Sequence, residues 1–143
     1  MVDTDTIRSR LQALDEYIAR LESQRYLSFE QMVADWVVYN AIQHVFQMAS
    51  QAAIDLASHI LSADFSKRVD DYHGLILALG SEGVLPMEFA RRFSDIARFR
   101  NVLVHEYLAV DPTKVYQFLQ AGLEDFRAFM RYVTEYLIKT GAL

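Results

Sequence analysis

One short segment of the sequence holds the side chains best suited to chemistry. Arg100, Asn101, His105 and Tyr107 lie within eight consecutive positions. A guanidinium keeps its charge and fits phosphate oxygens two at a time. An imidazole, whose reference pKa is about 6.5, exchanges protons near neutrality. Arg100 and His105 are therefore candidates for binding a phosphate group and for moving a proton beside it.

The spacing of these residues limits how they can cooperate on a helix. Arg100 and His105 are about 140° apart around a regular helix, whereas Asn101 and His105 share a face. We therefore expect either that the helix loosens near its end or that the two groups meet across a cleft completed by a second subunit. Tyr107 is expected within about 20° of Arg100, two turns further on.

The segment resembles the signature of the HEPN superfamily, and more narrowly of its HepT toxin branch. That signature is an Arg, four to six residues, a His, any residue and a Tyr, often with an Asn after the Arg, and Arg100, Asn101, His105 and Tyr107 match it. The helical layout, the length and the position of the motif before the last helix resemble the family over nearly the whole chain.

The resemblance implies a metal-independent endoribonuclease toxin without a cofactor. A ribose 2′-hydroxyl would attack the neighbouring phosphorus of an RNA such as tRNA or mRNA. In this role Arg100 would stabilise the charge on the phosphoryl oxygens, and His105 would transfer protons. Asn101 would position the reacting groups.

The same resemblance implies two kinds of protein partner. Relatives in the family pair as homodimers or higher homo-oligomers, and their motifs line a shared cleft. The toxin is one half of a toxin–antitoxin pair of the type II or type VII kind. A nucleotidyltransferase antitoxin of the MntA type would silence it by transferring AMP from ATP to Tyr107, and the added phosphate could then neutralise Arg100.

Less specific interpretations of the same residues remain open from the sequence. Arg100 could pair with Glu106 or with a carboxylate at an interface, while His105 caps the end of the helix. Tyr107 could be an ordinary core aromatic. The whole chain could also be a non-catalytic HEPN interaction module that binds a nucleotide or a nucleotidyltransferase partner.

Length and composition bound the fold that must position the motif. The 143 residues include 52% hydrophobic residues but only five Gly and two Pro, so we expect one all-α domain over residues 1–143. The absence of cysteine excludes disulfides, thiolate catalysis and cysteine-built zinc sites. A net charge of −5 is unfavourable for general binding to phosphates, so a nucleic-acid site would be local. The 86–107 region is the one with a basic bias, with four arginines against three acidic residues.

The chain shows no signal for export or for the membrane. Its first residues are acidic and polar, whereas a secretory signal begins with a cationic segment. The longest stretch without charged residues, from Trp36 to Ile54, contains several amides and a histidine. We therefore predict a soluble core helix there and a cytoplasmic protein.

Apolar residues recur at spacings of three and four along most of the chain, which is typical of amphipathic helices. We expect an antiparallel bundle of four main helices plus one short helix, since the connections are short. The starts are marked by capping signals at Ser28 with Gln31, at Asp70 or Asp71, and at Asp111 with Pro112. The predicted helices are Thr4–Gln24, Ser28–Ser62, Tyr72–Leu79, Pro86–Tyr107 and Pro112–Leu137.

The second helix carries a stripe of mostly uncharged polar residues at helical spacing. It is either a solvent face or one side of a functional cleft. Two pairs, Asp55 with His59 and Asp70 with His73, have spacings compatible with a metal, but no third ligand stands near them, and we predict no metal site. The stripe consists of Asn40, Gln43, His44, Gln47, Gln51 and Asp55.

Overall fold

The computed structural model describes residues 1–143, and every regular element in it is helical. The predicted all-α bundle is confirmed. The helices are α1 (Thr4–Glu22), α2 (Phe29–Ala34), α3 (Trp36–Phe65), α4 (Tyr72–Ser81), α5 (Met87–Phe93), α6 (Asp95–His105), α7 (Pro112–Gln117) and α8 (Leu123–Lys139). The predicted first helix corresponds to α1, and the predicted short helix is α4. The other three predicted helices are each divided, into α2 and α3, α5 and α6, and α7 and α8.

The core lies along α3, the longest helix, which packs against α1, α4 and α6. Helix α1 turns Ile7, Leu14, Ile18 and Leu21 inward, at the spacing that the sequence predicted. No helix combines the length and the apolar character that crossing a bilayer requires.

The predicted second helix is not continuous, and Asp35 interrupts it. The Asp35 backbone is extended, with φ −104° and ψ 96°, and its carboxylate accepts the N–H groups of Val37 and Val38 at 3.1 and 3.2 Å. An Asp side chain that satisfies these donors competes with the helical hydrogen bonds and starts a new helix. The capping box of Ser28 and Gln31 at the start of α2 is confirmed.

The predicted fourth helix differs from the structure at both ends and in the middle. Pro86 lies one position before α5 as its N-cap. Ser94 is buried and its hydroxyl donates to the carbonyl of Arg91 at 2.7 Å, which separates α5 from α6. The α-helix ends at His105, because Glu106 leaves helical geometry with φ −129° and ψ 42°. Tyr107 begins a separate 3₁₀ turn, Tyr107–Ala109.

The last predicted helix is correct apart from one turn. Asp111 caps it by accepting the N–H of Thr113 at 3.0 Å, and Pro112 occupies its first turn. A π-helical turn, Phe118–Gly122, joins α7 to α8 without a break. Asp71, not Asp70, caps α4.

Aromatic packing fixes α6 between α3 and the C-terminal helix. The Phe99 ring stacks on Phe118 with centroids 4.5 Å apart and meets the Phe46 ring edge-on at 5.5 Å. Such pairs add about 0.5–1.5 kcal/mol to the apolar burial. The helix that carries the motif is therefore held rigidly against its neighbours.

Candidate active site

Arg100 has more side-chain partners than the other motif residues. It is half-buried, and its Nε donates to Oε1 of Gln51 on α3 at 2.9 Å. Its Nη1 donates to Oδ1 of Asn101 at 3.1 Å. The guanidinium carbon lies 5.0 Å from the centroid of the Tyr72 ring on α4. Three helices thus fix the plane of one cation, as a catalytic arginine requires.

The partners of Arg100 leave its charge uncompensated. Gln51 and Asn101 are neutral amides, and Arg100 forms no ion pair. The pairing of Arg100 with Glu106, one of the alternatives from the sequence, is absent from this chain. A guanidinium has five N–H donors, of which two are used here, so the others are free for an anion.

Gln51 belongs to a series of polar contacts that joins α1, α3 and α6. Its Nε2 donates to Oδ1 of Asp55 at 2.9 Å, and Nε of Arg10 on α1 lies 3.8 Å from Oδ2 of the same carboxylate. The Gln51 amide is therefore oriented with its oxygen toward Arg100.

His105 lies in the last turn of α6 and is exposed. It forms no hydrogen bond with Arg100 or Asn101. The helix stays regular up to His105, and Glu106 still donates to the carbonyl of Val102 at 2.9 Å. Helix loosening therefore does not bring Arg100 and His105 together within one chain, and the cleft completed by a second subunit stays a prediction.

Tyr107 is accessible, with 70% of its surface exposed, and Leu108 beside it is 90% exposed. The interpretation of Tyr107 as a core aromatic is therefore wrong. The predicted alignment of Tyr107 with Arg100 on one helix is also wrong, because Tyr107 follows the end of α6.

A family model described as HepT-like, ribonuclease HepT-like, matches residues 14–133. The chain belongs to the HepT-like ribonuclease family. The resemblance inferred from the motif is thereby confirmed.

Individual relatives agree with this assignment. A tRNA nuclease HepT from Aphanizomenon flos-aquae is 28% identical over 132 residues, which cover 92% of this chain and 90% of that protein. One solved structure is that of a tri-AMPylated Shewanella oneidensis HEPN toxin in complex with an MNT antitoxin. Its matching chain is 21% identical to this chain, and the match covers 92% of this chain and 98% of that chain with a TM-score of 0.83. The cytosolic protein YutE from Bacillus subtilis, of unknown function, gives 0.86 at 18% identity, with coverages of 99% and 95%. At these identities the two structures establish a shared fold.

Two residues contact Arg100 in this HepT-like chain that the sequence did not single out as its partners, Gln51 and Tyr72. Gln51 stood in the polar stripe, and its spacing of four from Asp55 was the available signal. Tyr72 had no signal, because its contact with Arg100 joins two helices distant in sequence. The beginning of the stripe lies outside the site, since Asn40 and Gln43 donate to carbonyls of their own helix.

In the Asp55–His59 pair of the HepT-like chain each side chain has another partner, whereas in the Asp70–His73 pair Nδ1 of His73 is buried and forms no hydrogen bond. Nε2 of His59 accepts the N–H of Asp3 at 3.0 Å, and Asp55 accepts from Gln51. No group of three His, Asp or Glu side chains is arranged to hold a metal ion.

Proposed function

We propose that this chain is a metal-independent endoribonuclease toxin of the cytoplasm that cleaves RNA by transesterification. The observation that carries the proposal is the state of Arg100, a half-buried and oriented cation without a carboxylate partner. Removing a guanidinium from water costs free energy unless an anion compensates its charge. A phosphate of bound RNA is the anion that the planar N–H donors fit best.

The reaction assigns one role to each motif residue. An imidazole of His105 accepts the proton of a ribose 2′-hydroxyl, and the oxygen forms a bond with the adjacent phosphorus. The bond from phosphorus to the 5′-oxygen breaks, and that oxygen leaves with a proton from an imidazolium or from water. Arg100 stabilises the charge on the phosphoryl oxygens, and Asn101 orients its guanidinium through Nη1. The products are a 2′,3′-cyclic phosphate and a 5′-hydroxyl.

A homodimer would complete this site. His105 and Arg100 point from different sides of one helix, so a single chain does not direct both at one phosphate. A second copy, related by a twofold axis, would place its own His105 beside Arg100 of the first. The same operation would create a second, equivalent site.

Regulation is proposed to act on Tyr107 through a nucleotidyltransferase antitoxin of the MntA type. The phenol oxygen would attack the α-phosphorus of ATP, pyrophosphate would leave, and the phenolic proton would pass to solvent. The exposure of Tyr107 on a short turn suits this reaction, because the partner's nucleotide must reach the hydroxyl. The tri-AMPylated toxin among the structural relatives supports the chemistry.

Purified protein incubated with tRNA and with total RNA in a chelator tests the nuclease. We expect cleavage with cyclic-phosphate ends in the wild type and a loss of about a hundredfold or more in Arg100→Ala, because one preorganised donor group contributes about 10²–10³ to such reactions. Arg91→Ala is the control, since Arg91 also belongs to the basic region but is exposed and has no side-chain partner. Equal cleavage by wild type and Arg100→Ala would contradict the role of Arg100, and no cleavage by the wild type would favour the interaction-module alternative.

A further inference from the structure

A cleft of about 340 Å³ lies between α6 and the beginning of α7. Its walls carry the cations Arg98 and Lys114 and the aromatic ring of Phe118. This volume lies in the range of small-molecule sites in proteins. The motif residues Arg100, Asn101, His105 and Tyr107 do not line it, so the cleft is distinct from the site described above.

Both cations of the cleft lack protein partners. Arg98 and Lys114 are exposed, and neither side chain forms a hydrogen bond or an ion pair. Arg98 stays unpaired although Asp95 lies one turn before it on the same helix. Two free cations on facing elements are suited to one phosphate group, which accepts hydrogen bonds from several directions.

The cleft lies on the face of α6 that carries His105. Arg98 and His105 are two turns apart on a continuous helix, about 20° apart around its axis and about 10 Å apart along it. Val102, which lines the cleft, lies between them and is one turn before His105. A ligand in the cleft that extends toward the end of α6 therefore approaches the imidazole rather than Arg100.

The other walls identify the kind of ligand. Phe118 is half-buried and stacks on Phe99, so one wall is aromatic and offers contact to a planar ring. Two carboxylates, of Asp95 and Asp111, also line the cleft. They disfavour a bare anion but can accept hydrogen bonds from the N–H groups of a nucleobase. Cations, an aromatic wall and acceptors together match a nucleotide better than inorganic phosphate.

We propose that this cleft binds one nucleotide, with its phosphate on Arg98 and Lys114 and its base against the wall of Phe118. The role of this cleft in RNA cleavage rests on the function proposed above. The nucleotide can come from two sources, a residue of the RNA substrate beside the cleaved phosphate or the AMP attached to Tyr107. Tyr107 lies two positions before Ala109, a residue of the cleft wall, so the second source requires only a short reach.

Titration of the full chain with 5′-AMP and with inorganic phosphate, followed by calorimetry, tests the site. We expect AMP to bind at least about tenfold more tightly than phosphate. Arg98→Gln and Lys114→Gln should each weaken AMP binding about tenfold or more, since each removes a charge-assisted contact. Arg91→Gln, the matched control on α5, should change it less than about twofold. Equal binding of AMP and phosphate, or equal effects of Arg98→Gln and Arg91→Gln, would overturn the proposal.

Two competition experiments identify the source. A DNA oligonucleotide, which lacks the 2′-hydroxyl and is not cleaved, displaces AMP if the cleft holds a residue of the substrate. A chain adenylylated on Tyr107 no longer binds free AMP if the attached nucleotide occupies the cleft. If neither the DNA oligonucleotide nor adenylylation of Tyr107 changes AMP binding, the proposed role of the cleft is overturned. Because AMP binding requires no cleavage, a chain that binds AMP but cleaves no RNA refutes the nuclease alone, and one that cleaves RNA without binding AMP refutes the cleft alone.

Discussion

Gln51 holds Arg100 across the interface of α3 and α6, with 2.9 Å between Oε1 of the amide and Nε of the guanidinium. The amide is itself oriented by Asp55. The motif cation therefore depends on a residue that lies about fifty positions earlier in the sequence. In the proposed reaction Gln51 is a positioning residue, because it would act on the phosphate only through Arg100.

Replacing Gln51 tests this dependence. Gln51→Leu leaves Nε of Arg100 without its acceptor, and we expect kcat for RNA cleavage to fall about ten- to a hundredfold, the cost of a hydrogen bond to a charged group. Gln51→Glu keeps the acceptor but adds a carboxylate that neutralises Arg100. We expect it to lose activity as well, and its carboxylate also faces that of Asp55, to which the Gln51 amide donates in the wild type.

The matched control is Gln47→Leu, one turn earlier on the same stripe, where the side chain is half-buried and makes no hydrogen bond. It should retain activity close to that of the wild type. Full activity in Gln51→Glu would contradict a role for the uncompensated charge of Arg100.

A shared cleft can be detected by mixing two inactive variants. Arg100→Ala and His105→Ala should each lose activity, the second by about 10²–10⁴ as expected for a general acid–base group. If Arg100 of one subunit works with His105 of the other, a mixed dimer contains one intact site. After subunit exchange at equal concentrations we expect about a quarter of the wild-type activity, because half of the dimers are mixed and each has one of two sites.

The activity of the mixture is to be compared with that of each variant alone at the same total concentration. A mixture no more active than its components, in a sample where exchange is demonstrated by mass spectrometry, would show that the residues do not work across subunits.

Tyr107→Phe removes the hydroxyl that would accept AMP and changes little else, since the ring is exposed. We expect the variant to stay toxic when expressed beside the nucleotidyltransferase, while the wild type is silenced. Mass spectrometry of the peptide containing Tyr107 should show added AMP in the wild type alone. Tyr26→Phe, an equally exposed control far along the chain, should be silenced normally. Silencing of Tyr107→Phe would exclude Tyr107 as the target.

Tyr136 gives the stability of the fold a dependence on alkaline pH. Burial, together with the hydrogen bond that its hydroxyl donates to Asp64 at 2.7 Å, raises the pKa of Tyr136 to about 12 from 10.0. The folded state therefore favours the neutral phenol. This stabilisation is fully present below pH 10 and is lost as the pH rises toward 12.

Chemical denaturation between pH 8 and 12 measures this effect. We expect Tyr136→Phe to lose about 1 kcal/mol at neutral pH, as for one side-chain hydrogen bond, and to show a shallower decline above pH 10. Tyr132→Phe, one turn earlier on α8 and without a hydrogen bond, is the control and should keep the steep decline. Parallel curves for wild type and Tyr136→Phe would contradict the assignment.

The sequence predicted those elements whose signals are local. The capping box of Ser28 and Gln31 and the Asp111–Pro112 start were correct because each is formed by residues within one helical turn. Asp35 was missed, since no Gly or Pro stands near it and only its carboxylate ends α2. The contact of Arg100 with Tyr72 was beyond prediction, because it depends on how α4 packs beside α6.

The end of the α-helix at His105 separates residues that pack in the core from residues that lie in an exposed turn. The buried residues of α6, such as Phe99 and Leu103, pack in the core, so substituting them disturbs the core and the orientation of Arg100 together. Tyr107 and Leu108 follow on an exposed turn with few contacts, so changes there have little effect on folding. Substitutions in this turn can therefore change how the proposed antitoxin recognises the chain without altering the packing that orients Arg100.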